Sequence, residues 1–267
     1  MAVKIKQPQG FKPGFNNIVA QDGPYPEYLM DFAMLKLEAG QDYTCTLDQE
    51  RAFLLIYGNV TFEWNGQTET VDRPTFYDDD PFTLHVPAGV EVKITGVSAD
   101  SELAVHQTEN EKQFEAKLLK PADCRIERRG AGVMQGTGER LVRTIIDYGM
   151  NPDSNLMLGE DMHYPGRWAG FPSHHHEQPE IYYYKFFPEQ GFGLMKLGDE
   201  GVLMEQNDTV LIPPNFDHPQ VAAPGYGMYF LWVIRHLEGN PYIRPTFVEE
   251  HVWAEQPDAK IWLPKAD

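Results

Sequence analysis

Gly and Pro, 23 and 21 of the 267 residues, recur along the whole sequence and divide it into runs too short for anything but strands. Segments 52–57, 60–64, 82–86, 91–94, 181–187, 202–205, 209–212 and 228–234 are rich in Val, Ile, Leu, Tyr and Phe. Turn signals such as Asn65-Gly66, Gly198-Asp199-Glu200-Gly201 and Gln206-Asn207-Asp208 separate them. No long stretch repeats apolar residues at a helical spacing of about 3.6. The best helical candidate, 108–119, is short. Many short strands with Gly/Pro turns predict an all-β chain of the sandwich or barrel type.

A degenerate internal repeat adds organisation. Ala52-Phe53-Leu54-Leu55-Ile56-Tyr57-Gly58 is followed by Leu84-His85-Val86-Pro87, and Glu180-Ile181-Tyr182-Tyr183-Tyr184-Lys185-Phe186 by Val210-Leu211-Ile212-Pro213 at a similar offset. The repeat predicts two tandem β-barrel or jelly-roll domains, 1–120 and 121–240, followed by an extended tail, 241–267. The charged, Gly-rich stretch 121–139 suits the connection between them.

Asp plus Glu number 40 against 22 Lys plus Arg, a formal net charge of -18. That charge repels phosphate backbones and argues against a nucleic-acid partner. The first ten residues, MAVKIKQPQG, hold no apolar signal core, and no apolar run approaches the ~20 residues of a membrane span. A cytoplasmic protein without membrane attachment is expected. Cys45 and Cys124, the only cysteines, form no metal-like pair and no disulfide framework.

Three of the nine histidines sit in Ser173-His174-His175-His176-Glu177-Gln178-Pro179-Glu180. On an extended backbone His174 and His176 share a face and His175 turns away. Glu180 has the same parity and can return beside them after the Gln178-Pro179 turn. His218 follows the 209–212 strand and Pro214-Asn215-Phe216-Asp217. Three imidazoles and a carboxylate suit one divalent transition metal per chain, zinc first, with Mn, Fe, Co or Ni compatible. The first repeat offers no imidazole at the matching positions: Thr46-Leu47-Asp48-Gln49-Glu50 stands opposite the His tract and Glu91 opposite His218. It should bind no metal, with Asp48, Glu50 and Glu91 solvated.

The HxHxxxE pattern, then a strand, a hairpin and a Pro-turn His, resembles the two signature motifs of the cupin superfamily. Trp168-Ala169-Gly170-Phe171-Pro172-Ser173-His174, Glu180-Ile181-Tyr182-Tyr183, Pro188-Glu189-Gln190-Gly191-Phe192-Gly193 and His218-Pro219-Gln220-Val221-Ala222-Ala223-Pro224-Gly225-Tyr226 resemble the 5-deoxy-glucuronate isomerase family of myo-inositol catabolism, related to 4-deoxy-5-ketouronate isomerase. Asn207 stands where cupins commonly carry a turn Gly. The resemblance implies a bicupin with metal in the second unit and aldose–ketose isomerisation of 5-deoxy-D-glucuronate. The sister ketouronate reaction, an iron dioxygenase and a non-catalytic sugar-binding cupin are the alternatives. Glu180 is the candidate base, and Tyr182 and Tyr184, on its strand face, are candidate donors. The sugar acid needs a cation: Arg143 is preferred over Arg167, Lys185 and Arg244. His163 is a lesser candidate at the site. His251 and Trp253 are expected to close the barrel mouth or meet another subunit of a homo-oligomer.

Overall fold

The computed structural model describes residues 3–264. Its strands pair antiparallel throughout, in two large sheets, a four-stranded sheet and a two-stranded ribbon. The first large sheet runs Lys117–Leu119, Phe82–Val86, Glu50–Trp64, Ser101–Thr108, Asp31–Leu37, Gly14–Val19, and Gln67–Arg73, Val92–Gly96 and Asp42–Cys45 fold over from the long central strand. The second runs Val3–Ile5, Thr209–Ile212, Glu180–Phe187, Gly227–Arg235, Leu156–His163, Arg140–Ile146, Arg125–Arg129. A smaller sheet of Trp168–Ala169, Gln220–Ala222, Phe192–Leu197 and Glu200–Glu205 faces it.

Successive residues of a strand point to opposite faces, and the central strands are apolar on both because both are buried. In Glu180–Phe187, Tyr182, Tyr184 and Phe186 pack against Met195, Met204 and Phe230, between the second large sheet and the small one. Ile181 and Tyr183 point the other way and meet Phe32, Met34 and Leu54 of the first sheet. A third apolar cluster, including Phe53, Phe62, Trp64 and Leu103, fills the interior of the N-terminal half. The two halves thus each hold a core and share one between their sheets.

Three expectations need correction. Segment 108–119 is not helical: Thr108 ends one strand, Lys117–Leu119 forms another, and 109–116 is irregular. Asn110 explains this, because its amide donates to Glu50 Oε2 and to the Asp153 carbonyl, both at 2.7 Å, and anchors the segment in extended form. The first strand, Val3–Ile5, pairs with Thr209–Ile212 and so joins the sheet of the second half. The tail is not simply extended, since it carries Thr246–Phe247 and a four-residue helix, Glu249–Val252. Among the described residues no helix is long and apolar enough to cross a membrane. Asn207 has a left-handed φ of 64°, a conformation Asn tolerates in place of Gly.

Candidate metal centre and its cavity

The His174–His175 strand pairs with Thr246–Phe247, and Glu180 opens the next long strand at the level of Ile212. Asn215, with a left-handed φ of 66°, donates its N–H to the His176 carbonyl at 2.7 Å. That bond ties the turn carrying His218 to the His tract. His176, Glu180 and His218 are all buried and offer ligand atoms within 4.8 Å of one another. Glu180 Oε2 lies 3.1 Å from His176 Nε2 and 3.4 Å from His218 Nε2. The His174 ring stands edge-on to His218 with centroids 5.0 Å apart. His174 and His176 line one cavity; His175 and Arg244 do not, and line a neighbouring depression that His176 and Tyr242 also border.

Proton placement identifies what this cluster can do. A carbonyl oxygen can only accept, so the Nδ1 of each ring carries the hydrogen: His174 toward Pro172 at 3.4 Å, His176 toward Gln178 at 2.9 Å, His218 toward Phe216 at 2.8 Å. In the neutral ring each Nε2 then keeps its lone pair. Burial, with the neighbouring His218 and His176, lowers His174 to about 3, and burial lowers His218 as well, so both are neutral at pH 7. His218 Nε2 is buried without a hydrogen-bond partner. The neutral His218 Nε2 and the Glu180 carboxylate, 3.4 Å apart with no proton between them, repel one another, and a divalent cation relieves that repulsion. Rings fixed through Nδ1 to backbone carbonyls are also the usual outer support of metal-ligating histidines. The residues therefore fit a divalent metal.

The cavity occupies about 370 Å³, within the range of small-molecule sites. Tyr182 lines it with its ring edge-on to His218, centroids 5.7 Å apart. Burial first, then the Glu180 charge, raises the Tyr182 hydroxyl well above its ordinary pKa, so it stays protonated. Across the cavity wall, Asp161 Oδ1 accepts from Trp232 Nε1 at 2.9 Å and Oδ2 from Arg140 Nε at 3.1 Å. Burial alone would raise Asp161; the facing His163, the Arg140 charge and the Trp232 N–H outweigh it and hold the carboxyl below its usual range. The Trp232 indole occupies the space that a Cβ on Gly159 would need. From the tail, Tyr242, Pro245, Phe247 and Glu255 complete the wall.

Other sequence candidates lie elsewhere. Tyr184 shares the face of Tyr182 but lies beyond the cavity lining, its hydroxyl donating to Gln220 Oε1 at 2.6 Å. Arg143 is on the wrong strand face: it donates to the Phe76 and Tyr77 carbonyls and pairs with Asp80, between the halves. Val142 lines the cavity, so its neighbour cannot; Arg140, two residues earlier, does. Lys185 is paired with Glu102 at 2.7 Å, and Arg167 donates to Gly136. His163 is buried behind Asp161 at 3.8 Å. His251 packs on Phe171, a cavity residue, and Trp253 is exposed. In the N-terminal half Glu50 is not solvated but fully buried, accepting from His85, Ser154, Asn110 and the Asn155 N–H. Arg140, Asp161, Trp232 and Tyr242 went unnoticed in the sequence; strand parity from Val142 and His163 was the available signal for the first two.

Comparison with known proteins finds relatives along most of the chain. The 5-deoxy-glucuronate isomerase of Geobacillus thermodenitrificans is 28% identical over 209 residues, covering 71% of this chain and 73% of its own length. The 5-deoxy-glucuronate isomerase of Bacillus subtilis strain 168 is 28% identical over 229 residues, covering 77% and 80%. Among solved structures, an IolB-like protein of Salmonella typhimurium superposes with a TM-score of 0.83 at 24% identity, covering 92% of this chain and 97% of that one. The oxalate decarboxylase of Lactobacillus farciminis, crystallised with formate, gives 0.64 at 12% identity over 93% and 88%. Both share the all-β fold. With its match extending over residues 5–254, the chain belongs to the KduI/IolB family.

Proposed function

We propose that this protein is a metal-dependent isomerase converting 5-deoxy-D-glucuronate to 5-dehydro-2-deoxy-D-gluconate in myo-inositol degradation. One divalent cation, zinc first among the candidates, would be held by His174, His176, Glu180 and His218. The observation that carries the reading is the convergence of the His176 and His218 ring nitrogens on Glu180 inside a cavity of sugar size. Its relatives in Geobacillus and Bacillus bear this activity in their names.

The reaction moves a proton from C2 to C1 and another from the C2 hydroxyl to the former aldehyde oxygen, so no oxidant or reductant is consumed. When bound, the cation supplies a Lewis acid that draws charge from the aldehyde and its neighbouring hydroxyl. Glu180 Oε2 faces the imidazoles, which leaves Oε1 as the oxygen to take the C2 proton and return it at C1. Tyr182, protonated and without a protein partner for its hydroxyl among the described residues, donates to the oxygen gaining charge. Phe230, Trp232 and Phe247 wall the site with apolar surface and limit water.

The two-unit architecture belongs to the same reading: cupin units 1–120 and 121–240, the first a scaffold that lends its strand Val3–Ile5 to the sheet of the second. Register supports it, since Arg51 pairs with Val86 just before Pro87 as Glu180 pairs with Ile212 just before Pro213. At the position of the proposed carboxylate ligand the first unit thus carries a fully buried guanidinium, bonded to the Cys45, Gln49, Pro87 and Val90 carbonyls. A fixed cation there repels any metal. Proton NMR in deuterated water with zinc-loaded enzyme, comparing 5-deoxy-glucuronate and 4-deoxy-5-ketouronate, tests the function. Conversion of the first with solvent deuterium entering the product is expected; conversion of the second alone would overturn the substrate assignment.

A further inference from the structure

The proposed reaction takes place at one end of a chain whose other end is a carboxylate, and the cavity must receive both. We infer that Arg140, held in place by Asp161, is the subsite for that carboxylate and sets the preference for sugar acids over neutral sugars; this rests on the isomerase reading above. The guanidinium is fixed on two sides, by Nε to Asp161 Oδ2 at 3.1 Å and by Nη1 to the Gly138 carbonyl at 3.0 Å. Of its five N–H donors, three are left, including both on Nη2. A planar fork with its stem immobilised presents those donors at little entropic cost and matches a carboxylate edge-on. Asp161 is itself fixed from behind by Trp232, so the pair forms a rigid part of the wall. Arg140 lines the same cavity as His174, His176, Glu180 and His218, which puts subsite and metal centre together.

Charge balance points the same way. The charged lining sets Arg129 and Arg140 against Asp161, Glu180 and Glu255, one carboxylate in excess. A divalent cation turns this to +1, which one substrate carboxylate neutralises. Arg129 is the other cation of the lining, but it is exposed and its Nη2 already donates to Glu127 at 2.8 Å. Arg140 is the better shielded of the two, with a side chain only 13% exposed.

Two probes separate this inference from the isomerase reading. The first is 2-deoxy-D-gluconate, which lacks a carbonyl and cannot react, titrated against zinc-loaded protein by the emission of the tryptophans, Trp232 among them. Its neutral counterpart is 2-deoxy-D-glucitol. Arg140→Gln should weaken the acid about 100-fold relative to the alditol, the loss expected for a charge-assisted fork. Arg140→Lys, which keeps the charge and the fold but loses the fork, should fall between. The second is steady-state kinetics with 5-deoxy-glucuronate, where Arg140→Gln should raise KM far more than it lowers kcat. Zinc content serves as the check of an intact site. Acid binding that depends on Arg140 without turnover of either uronate would sink the isomerase reading and leave the subsite standing. Turnover with an unchanged acid-to-alditol ratio and KM in both variants would overturn the subsite.

Discussion

His106 lies in the core between the two large sheets, fully buried, its ring stacked on Phe32 with centroids 5.3 Å apart. Neither ring nitrogen has a hydrogen-bond partner. Burial alone lowers its pKa from 6.5 to about 3, and no neighbouring charge contributes. The sign follows: between about pH 3 and 6.5 the unfolded chain binds a proton that the native state refuses, so stability present above 6.5 is lost as pH falls toward 3. At pH 5 the unfolded histidine is 1.5 units below its pKa, which at 1.36 kcal/mol per unit is a loss of about 2 kcal/mol relative to pH 7.5. His106→Leu removes both the titration and two unpaired polar atoms. Urea unfolding followed by tryptophan emission at the two pH values measures it. The variant should gain about 1–3 kcal/mol at pH 7.5 and about 2 kcal/mol more at pH 5. A stability difference that does not change with pH would refute the reasoning, since it would mean that His106 is protonated or solvated in the native state.

Other perturbations test other parts of the structure. His176→Ala should abolish metal uptake and activity together, while His175→Ala, outside the cavity lining, should leave both within about twofold; zinc titration and rate assays distinguish them. Arg73 and Glu160 form a fully buried fork, both bonds 2.8 Å, between the first and second halves. Arg73→Met alone should cost about 3–5 kcal/mol by stranding a charge, and adding Glu160→Gln should recover part of it in urea unfolding. Gly159→Ala places a methyl where Trp232 lies, which should cost about 1–3 kcal/mol and lower kcat/KM by shifting the indole off Asp161.

The convergence of His176, Glu180 and His218 was legible because it depends on local spacing. Alternation puts residues 174, 176 and 180 on one face, and a left-handed Asn215 brings the later turn back by a single hydrogen bond. The all-β fold was equally legible, from punctuation and from strands apolar on both faces. What failed depended on partners distant in sequence. Arg143 and Arg140 look alike in the sequence, and only the cavity side of their strand separates them. Glu50 reads as a solvated acid until Ser154 and Asn155, a hundred residues away, supply its donors. Segment 108–119 has helix-compatible spacing at Phe114 and Leu118, yet Asn110 is bonded to the opposite half and prevents the turn. The tail residues Tyr242 and Phe247 carry no motif, and their place at the cavity follows from the pairing of Thr246–Phe247 with the His tract.

Elemental analysis of the purified protein after dialysis against metal-free buffer, wild type beside His218→Ala, addresses the metal centre most directly. The account predicts one tightly held divalent transition metal per wild-type chain and none in the variant. Two per chain, or one that survives the loss of His218, would contradict both the assigned ligands and the metal-free first unit.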